Sequence, residues 1–206
     1  EGALIKTKRD AEILSKWLID IGAHFNRKIK TIITDMDEPL STCIGNALEV
    51  KEAIEVLKGK ENNLEKVSIE VAAELISMYK DISLKEAAKL AKQTLKDNSA
   101  YQAFEKWIAN QNGDLSKLKV SKNILELKSS KNGTVKHISA LACGKLSLKL
   151  GAGRLTKESK IDYGVGIKLL VKKGDVVKKG DVLALLYVKD KKINLTKEDL
   201  QIFQIN

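Results

Sequence analysis

The chain has 206 residues and carries 37 Lys and Arg against 27 Asp and Glu, for a net charge of +10, with 43% hydrophobic residues and a single proline. It is long enough for one or two domains with substantial cores, and too apolar for a disordered chain. Arg occurs only at 9, 27 and 154, the lysines alternate with acids, and the aromatics are dispersed, which describes a solvated Lys-rich surface and argues against a nucleic-acid groove.

In chain order, Thr7 with Asp10 opens a helix whose Ile13, Leu14, Trp17, Leu18 and Ile21 share one face before Gly22. The β-branched run KIKTIIT at 28–34 predicts a buried strand, and Asn46 with Glu49 predicts the cap of a helix ending at Gly59. Three more helices follow. One spans 63–80 on Leu64, Val67, Val71, Leu75 and Met78; one spans 83–97 behind a Ser83/Glu86 capping box; one spans 99–110 and is expected to bury Phe104, Trp107 and Ile108. Helices around one strand read as α/β, with the sheet partners elsewhere. The opening EGALIKT, without an initiator Met, reads as a fragment whose missing strands lie upstream.

Near 115–122 the pattern changes. Strands are expected at 124–128 and 134–138 about a turn at Lys131-Asn132-Gly133, then a short helix at about 138–149, the loop GAGRL and the strand-rich KIDYGVGIKLLV. The hexamer VKKGDV stands twice in succession, at 171–176 and 177–182, each copy a strand end and a Gly turn. The expected organisation is residues 1–118 as the C-terminal, mostly helical part of an α/β domain, and residues 119–206 as a β-rich, barrel-sandwich-like α+β domain.

Chemistry is sparse. Cys43 and Cys143 stand apart without a CxxC or a Cys/His cluster, so neither zinc nor a disulfide framework is indicated, and a reducing compartment is expected. The longest apolar run, 182–188, is too short to span a bilayer, and a soluble cytoplasmic protein is expected. His24 and His137 are isolated and read as structural. GAGR at 151–154 could cradle a phosphate through backbone N–H groups and Arg154, but the spacing favours a plain turn. Doubled VKKGDV resembles the turns of biotinyl and lipoyl carrier domains, yet no Lys sits in a Met-flanked tight turn, so the shape is expected without the carrier function. Asp35, Asp37 and Glu38 read as solvated loop carboxylates. Glu49 has a capping role, whereas Glu52 in the second turn can fold back toward the carbonyls of the Leu40 to Cys43 loop, a donor set suited to a hard cation of low charge.

Taken together and in this order, GALIKT, TDMDEPL, GNALEVKEAIEVLKG, GAGR and YGVGIKLLVKKGD resemble the C-terminal half of the pyrimidine-nucleoside phosphorylases, thymidine phosphorylase included. The resemblance implies a homodimeric pentosyltransferase that converts a pyrimidine nucleoside and phosphate reversibly to free base and pentose 1-phosphate. It implies that the phosphate cradle, a Lys-His-Ser segment with a Gly-rich loop, and the Arg, Ser and Lys that hold the base all lie upstream, so that no catalytic residue is in this chain and the isolated chain is inactive. It further implies that Leu4 lines the pyrimidine pocket, and that potassium is bound by the backbone carbonyls of Leu40 and Cys43 with the carboxylate of Glu52. No organic cofactor, nucleic acid or membrane partner is implied. Two other readings stay open: a related phosphoribosyltransferase, and a non-enzymatic carrier-like or nucleic-acid-binding module.

Overall fold

All the strands among the described residues, 3–206 of this computed structural model, belong to one unit built from residues 36–54 and 108–206; residues 3–35 and 55–107 form a second, helical unit. The expected 118/119 boundary lies inside the first unit, and the division itself falls within two helices, α2 (Asn46–Leu57) and α5 (Ser99–Asn110).

The first unit holds two antiparallel sheets. One has the order β1 (Cys43–Ile44), β4 (Gly166–Leu169), β6 (Val182–Val188), β2 (Asn123–Lys128); the other has the order β5 (Val176–Val177), β3 (Gly133–Ile138), β7 (Phe203–Ile205). The expected turn at 131–133 exists but joins no hairpin: β2 pairs with β6, whereas β3 pairs with β5 and β7. One antiparallel run instead crosses between the sheets. Lys128 faces Val182, Ser129 N–H donates to Asp181 O at 2.9 Å, Gly133 faces Val177, and Val135 N–H donates to Asp175 O at 2.9 Å. Between them Asn132 Oδ1 accepts from Lys179 N–H at 2.8 Å, which fills the gap where the ladder bends.

The doubled hexamer supplies the outer strand of that run as two copies of one turn. In each, the Asp N–H bonds the carbonyl of the first Lys, and the Asp carboxylate accepts that same Lys N–H, at 2.9 Å for Lys172 and 2.8 Å for Lys178. Gly174 (φ +93°) and Gly180 (φ +96°) take the third position, where a type II turn requires positive φ. The core beneath comprises Val135, Ile138, Cys143, Leu146, Val165, Ile167, Leu186, Val188 and Ile202 among others, with Leu146 on the short helix α6 (Ala140–Ser147).

Residues 36–46 belong to this β-rich unit although both segments of the helical unit, 3–35 and 55–107, flank them in sequence. β1 extends the first sheet, with Cys43 facing Lys168 and Ile44 facing Ile167. The approach is close enough to require glycine on both sides: a Cβ on Gly166 would stand 2.3 Å from Ile44 O, and one on Gly45 would stand 2.6 Å from Val165 O.

In the second unit α1 (Lys8–His24) starts as expected, Thr7 Oγ1 accepting from Asp10 N–H at 3.1 Å. Its apolar face, however, is open: Trp17 is 61% and Phe25 72% exposed, and only Gly22 is buried, against Ile29. The strand expected at 28–34 does not form; the segment is irregular, because β-branched residues favour an extended chain but only a neighbouring ladder makes it a strand. α3 (Asn63–Lys80) and α4 (Leu84–Lys96) pack against each other and bury Ile69, Ala73, Ala87 and Ala91, the three alanines being small enough to let helices approach closely. Both halves of the Ser83/Glu86 capping box are present. Trp107 on α5, expected in the core, is 58% exposed.

Two classes of glycine should respond differently to substitution. A Cβ at Gly174 or Gly180 meets no atom within 4 Å, so G174A and G180A should each cost only the left-handed backbone, about 1 kcal/mol. G166A must also displace Ile44 and should cost about 2–3 kcal/mol or more. Urea denaturation midpoints of the three variants check this; equal losses would refute the close approach of β1 to β4.

Candidate functional site

The loop between residues 36 and 46 is tied down along its length, and each tie uses a different group. Asp37 O accepts from Ala140 N–H at 3.0 Å, Thr42 O accepts from Leu169 N–H at 2.7 Å, and Tyr163 O accepts from Ala47 N–H at 3.0 Å. Glu38, read from the sequence as solvated, lies 3.2 Å from His137 Nδ1 and 3.5 Å from Lys173 Nζ. That contact gives His137 its role, a structural one that joins the loop to β3.

Glu52 reaches back from α2 to this loop, as its place in the second turn predicts, and is only 3% exposed. It meets donors there. Oε1 accepts from Thr42 Oγ1 at 2.7 Å and from Thr42 N–H at 3.3 Å, and Oε2 accepts from Cys43 N–H at 2.9 Å. Burial pushes the pKa of Glu52 up, but the hydroxyls of Ser41 and Thr42 and the N–H groups of Cys43 and Thr42 favour the charged form more strongly, leaving the carboxyl below its usual range. The Ser41 hydroxyl is buried and makes no hydrogen bond of its own among the described residues. The site therefore holds a buried, ionised carboxylate that accepts from Thr42 and Cys43.

Such a group fits a monovalent cation. Cys43 sits on the edge strand β1 and turns its N–H toward Glu52; in an extended chain a residue's N–H and C=O leave on the same side, so the Cys43 carbonyl also faces away from β4. Leu40 lies in the bend just before. The Cys43 thiol contributes nothing nucleophilic, because burial and then the Glu52 charge push its pKa up to about 11. Among the described residues no three His, Cys, Asp or Glu side chains gather as a metal cluster; a cation held at this loop would have one carboxylate and backbone oxygens as its donors. Leu40, Cys43 and Glu52 thus share one loop and helix start, while Leu4 belongs to the second unit and is 93% exposed.

The sequence reading missed three partners. Thr42 serves Glu52 from ten residues away and Ser41 stands at eleven, and only their hydroxyls beside a strand start hinted at it. Asn46, expected as a helix cap, donates instead to Ala152 O at 2.7 Å, across 106 residues of sequence, while Glu49 alone reaches back to Gly45 N–H at 2.8 Å. That bond joins GNALE to GAGR, so the latter acts as a turn that receives the start of α2.

Residues 134–202 match the family model described as the pyrimidine nucleoside phosphorylase C-terminal domain. The chain is 41% identical over 207 residues to the pyrimidine-nucleoside phosphorylase of Geobacillus stearothermophilus, covering 97% of this chain and 48% of that protein. It is 38% identical over 194 residues to that of Bacillus subtilis (strain 168) and 37% identical over 194 residues to that of Staphylococcus haemolyticus (strain JCSC1435), each covering 90% of this chain and 45% of the relative. The chain spans about half the length of the relatives it matches. The loop, the Glu52 helix and the β-rich module all lie inside the matched length, so the chain is similar along nearly its whole length to pyrimidine-nucleoside phosphorylases and carries a match to their C-terminal domain.

Proposed function

We propose that this protein works as the C-terminal part of a pyrimidine-nucleoside phosphorylase, which reversibly converts a pyrimidine nucleoside and inorganic phosphate to free base and ribose or deoxyribose 1-phosphate. The observation that carries this reading is the likeness to named phosphorylases along nearly the whole chain. In the reaction a phosphate oxygen bonds the sugar's anomeric carbon as the glycosidic C–N bond breaks, and the base leaves with the electron pair. An oxocarbenium-like transition state has to be held between phosphate and base. In this reading the phosphate cradle and most of the base pocket lie in the half of the relatives that the chain does not match, and Leu4 gives the pocket an apolar wall. The active form is a homodimer in the cytoplasm.

The contribution of this chain is the loop from Leu40 to Cys43, clamped by Glu52. The carbonyls of Leu40 and Cys43 and the Glu52 carboxylate would hold a monovalent cation, potassium, which when bound supplies a fixed positive charge beside the loop. Glu52 keeps the loop ordered through Thr42 and Cys43.

Two outcomes test this. The purified 206-residue polypeptide should not cleave uridine or thymidine with phosphate, whereas the chain joined behind the first half of the Geobacillus relative should; cleavage by the chain alone, or a folded but inert chimera, would refute the reading. Separately, E52Q should lose about 2 kcal/mol at neutral pH. Because the folded state lowers the Glu52 pKa from 4.5, this contribution is present above that value and is lost as the pH falls below it. In the chimera, E52Q should also raise the potassium requirement more than E38Q. Thermal melting from pH 3 to 8 and a potassium titration read both; indistinguishable E52Q and E38Q would remove Glu52 from the site.

A further inference from the structure

A cleft of about 550 Å³ opens in the β-rich unit where three segments meet: the approach to β2, the approach to β4 and the exit of β6. Its walls are fixed by hydrogen bonds. Ser121 N–H donates to Gly164 O at 2.7 Å, Ser121 Oγ donates to Val188 O at 2.6 Å, and Asn123 Nδ2 donates to Lys189 O at 2.8 Å. The cleft is therefore formed before any ligand arrives, and its size is that of a small-molecule site.

The charge in it is mostly positive. Lys119, Lys160 and Lys189, one from each segment, line the cleft, and none has an ion-pair partner among the described residues. Elsewhere lysines do find acids: Lys60 pairs with Glu55, Lys128 with Glu126 and Lys149 with Asp199. The carboxylate lining the cleft, Asp162, accepts the Gly164 N–H at 2.9 Å and so stiffens the wall. Three exposed ammonium groups thus offer an anion in the cleft a point charge from each of its three segments. Beside them the ring of Tyr163 is 65% exposed, a flat apolar surface large enough for a heterocycle.

We propose that this cleft binds a nucleoside diphosphate, its phosphates among Lys119, Lys160 and Lys189 and its base against Tyr163. Lysine suits the phosphates as a point charge, and the single ring accepts a base through its face without reading its edge. The cleft lies wholly in one unit and uses no group from the loop that Glu52 clamps, so it stands or falls apart from the phosphorolysis reading.

Isothermal titration of the 206-residue chain with uridine 5′-diphosphate, inorganic pyrophosphate and uridine, at low and moderate salt, tests it. Expected is one saturable site for uridine 5′-diphosphate, weaker at higher salt, with pyrophosphate weaker and uridine alone undetected. K160E should weaken both phosphate ligands about tenfold, whereas K92E on α4, equally charged but remote in sequence from the cleft, should leave both unchanged. Y163L should weaken uridine 5′-diphosphate and spare pyrophosphate. No saturable binding at millimolar ligand, or equal effects of K160E and K92E in variants that keep the parental melting temperature, overturns the site. Pyrophosphate binding as tightly as the nucleotide, with Y163L inert, overturns the nucleotide and leaves a phosphate-only cleft.

Discussion

An ionised carboxylate in a nearly dry place has to be surrounded by donors, and Glu52 obtains them by drawing the backbone of Thr42 and Cys43 against α2. The rest of the β-rich unit is arranged around the loop so held. With Cys43 turned toward Glu52, Thr42 is left to pair with Leu169, which makes β1 the edge of the four-stranded sheet. With β1 seated there, Gly45 and Gly166 must both lack side chains, and α2 starts where Asn46 can reach Ala152. A short motif therefore carries charge burial, strand pairing and helix placement together, and a change in any one of them displaces the others.

What the sequence made legible was local. The caps at Thr7 and Ser83, the left-handed glycines of the doubled hexamer and the bounds of the middle helices all depend on residues within four positions of one another, and they stand where expected. The partners that a residue meets over long separations were not legible. KIKTIIT has the composition of a strand, but composition states only that a chain can be extended, and without a ladder it stays irregular. Trp17 and Trp107 sit at helical spacings that mark an apolar face, yet periodicity does not say whether anything covers that face. The turn at 131–133 is a turn as expected, but its strands diverge into different sheets, because their pairing partners stand 42 to 65 positions further on.

The candidate cation site shows the same division. Helical spacing was enough to aim Glu52 at the loop, since the second turn of a helix points back past its own start. It was not enough to say which atoms would be met there, and the meeting is with hydroxyl and N–H donors as well as the edge where the Cys43 carbonyl emerges. Glu38 was misjudged for a related reason: its neighbour His137 is 99 residues away, and a lone His and a lone Glu carry no mark of each other in sequence.

The doubled VKKGDV has a consequence for register. Ser129 and Val135 stand six residues apart and take equivalent backbone partners in the two turns, so the outer strand offers the same hydrogen bonds twice at a six-residue step. Six is even, so a slip by one copy would keep every side chain on its own face, and the alternation that normally forbids a wrong register gives no protection. Discrimination falls to the inner strand. Val135 is fully buried in the core, whereas the Ser129 hydroxyl closes its own turn on Lys131 O at 2.6 Å, and neither residue can do the other's work. A sequence that repeats itself on one strand is thus read unambiguously only because the facing strand does not.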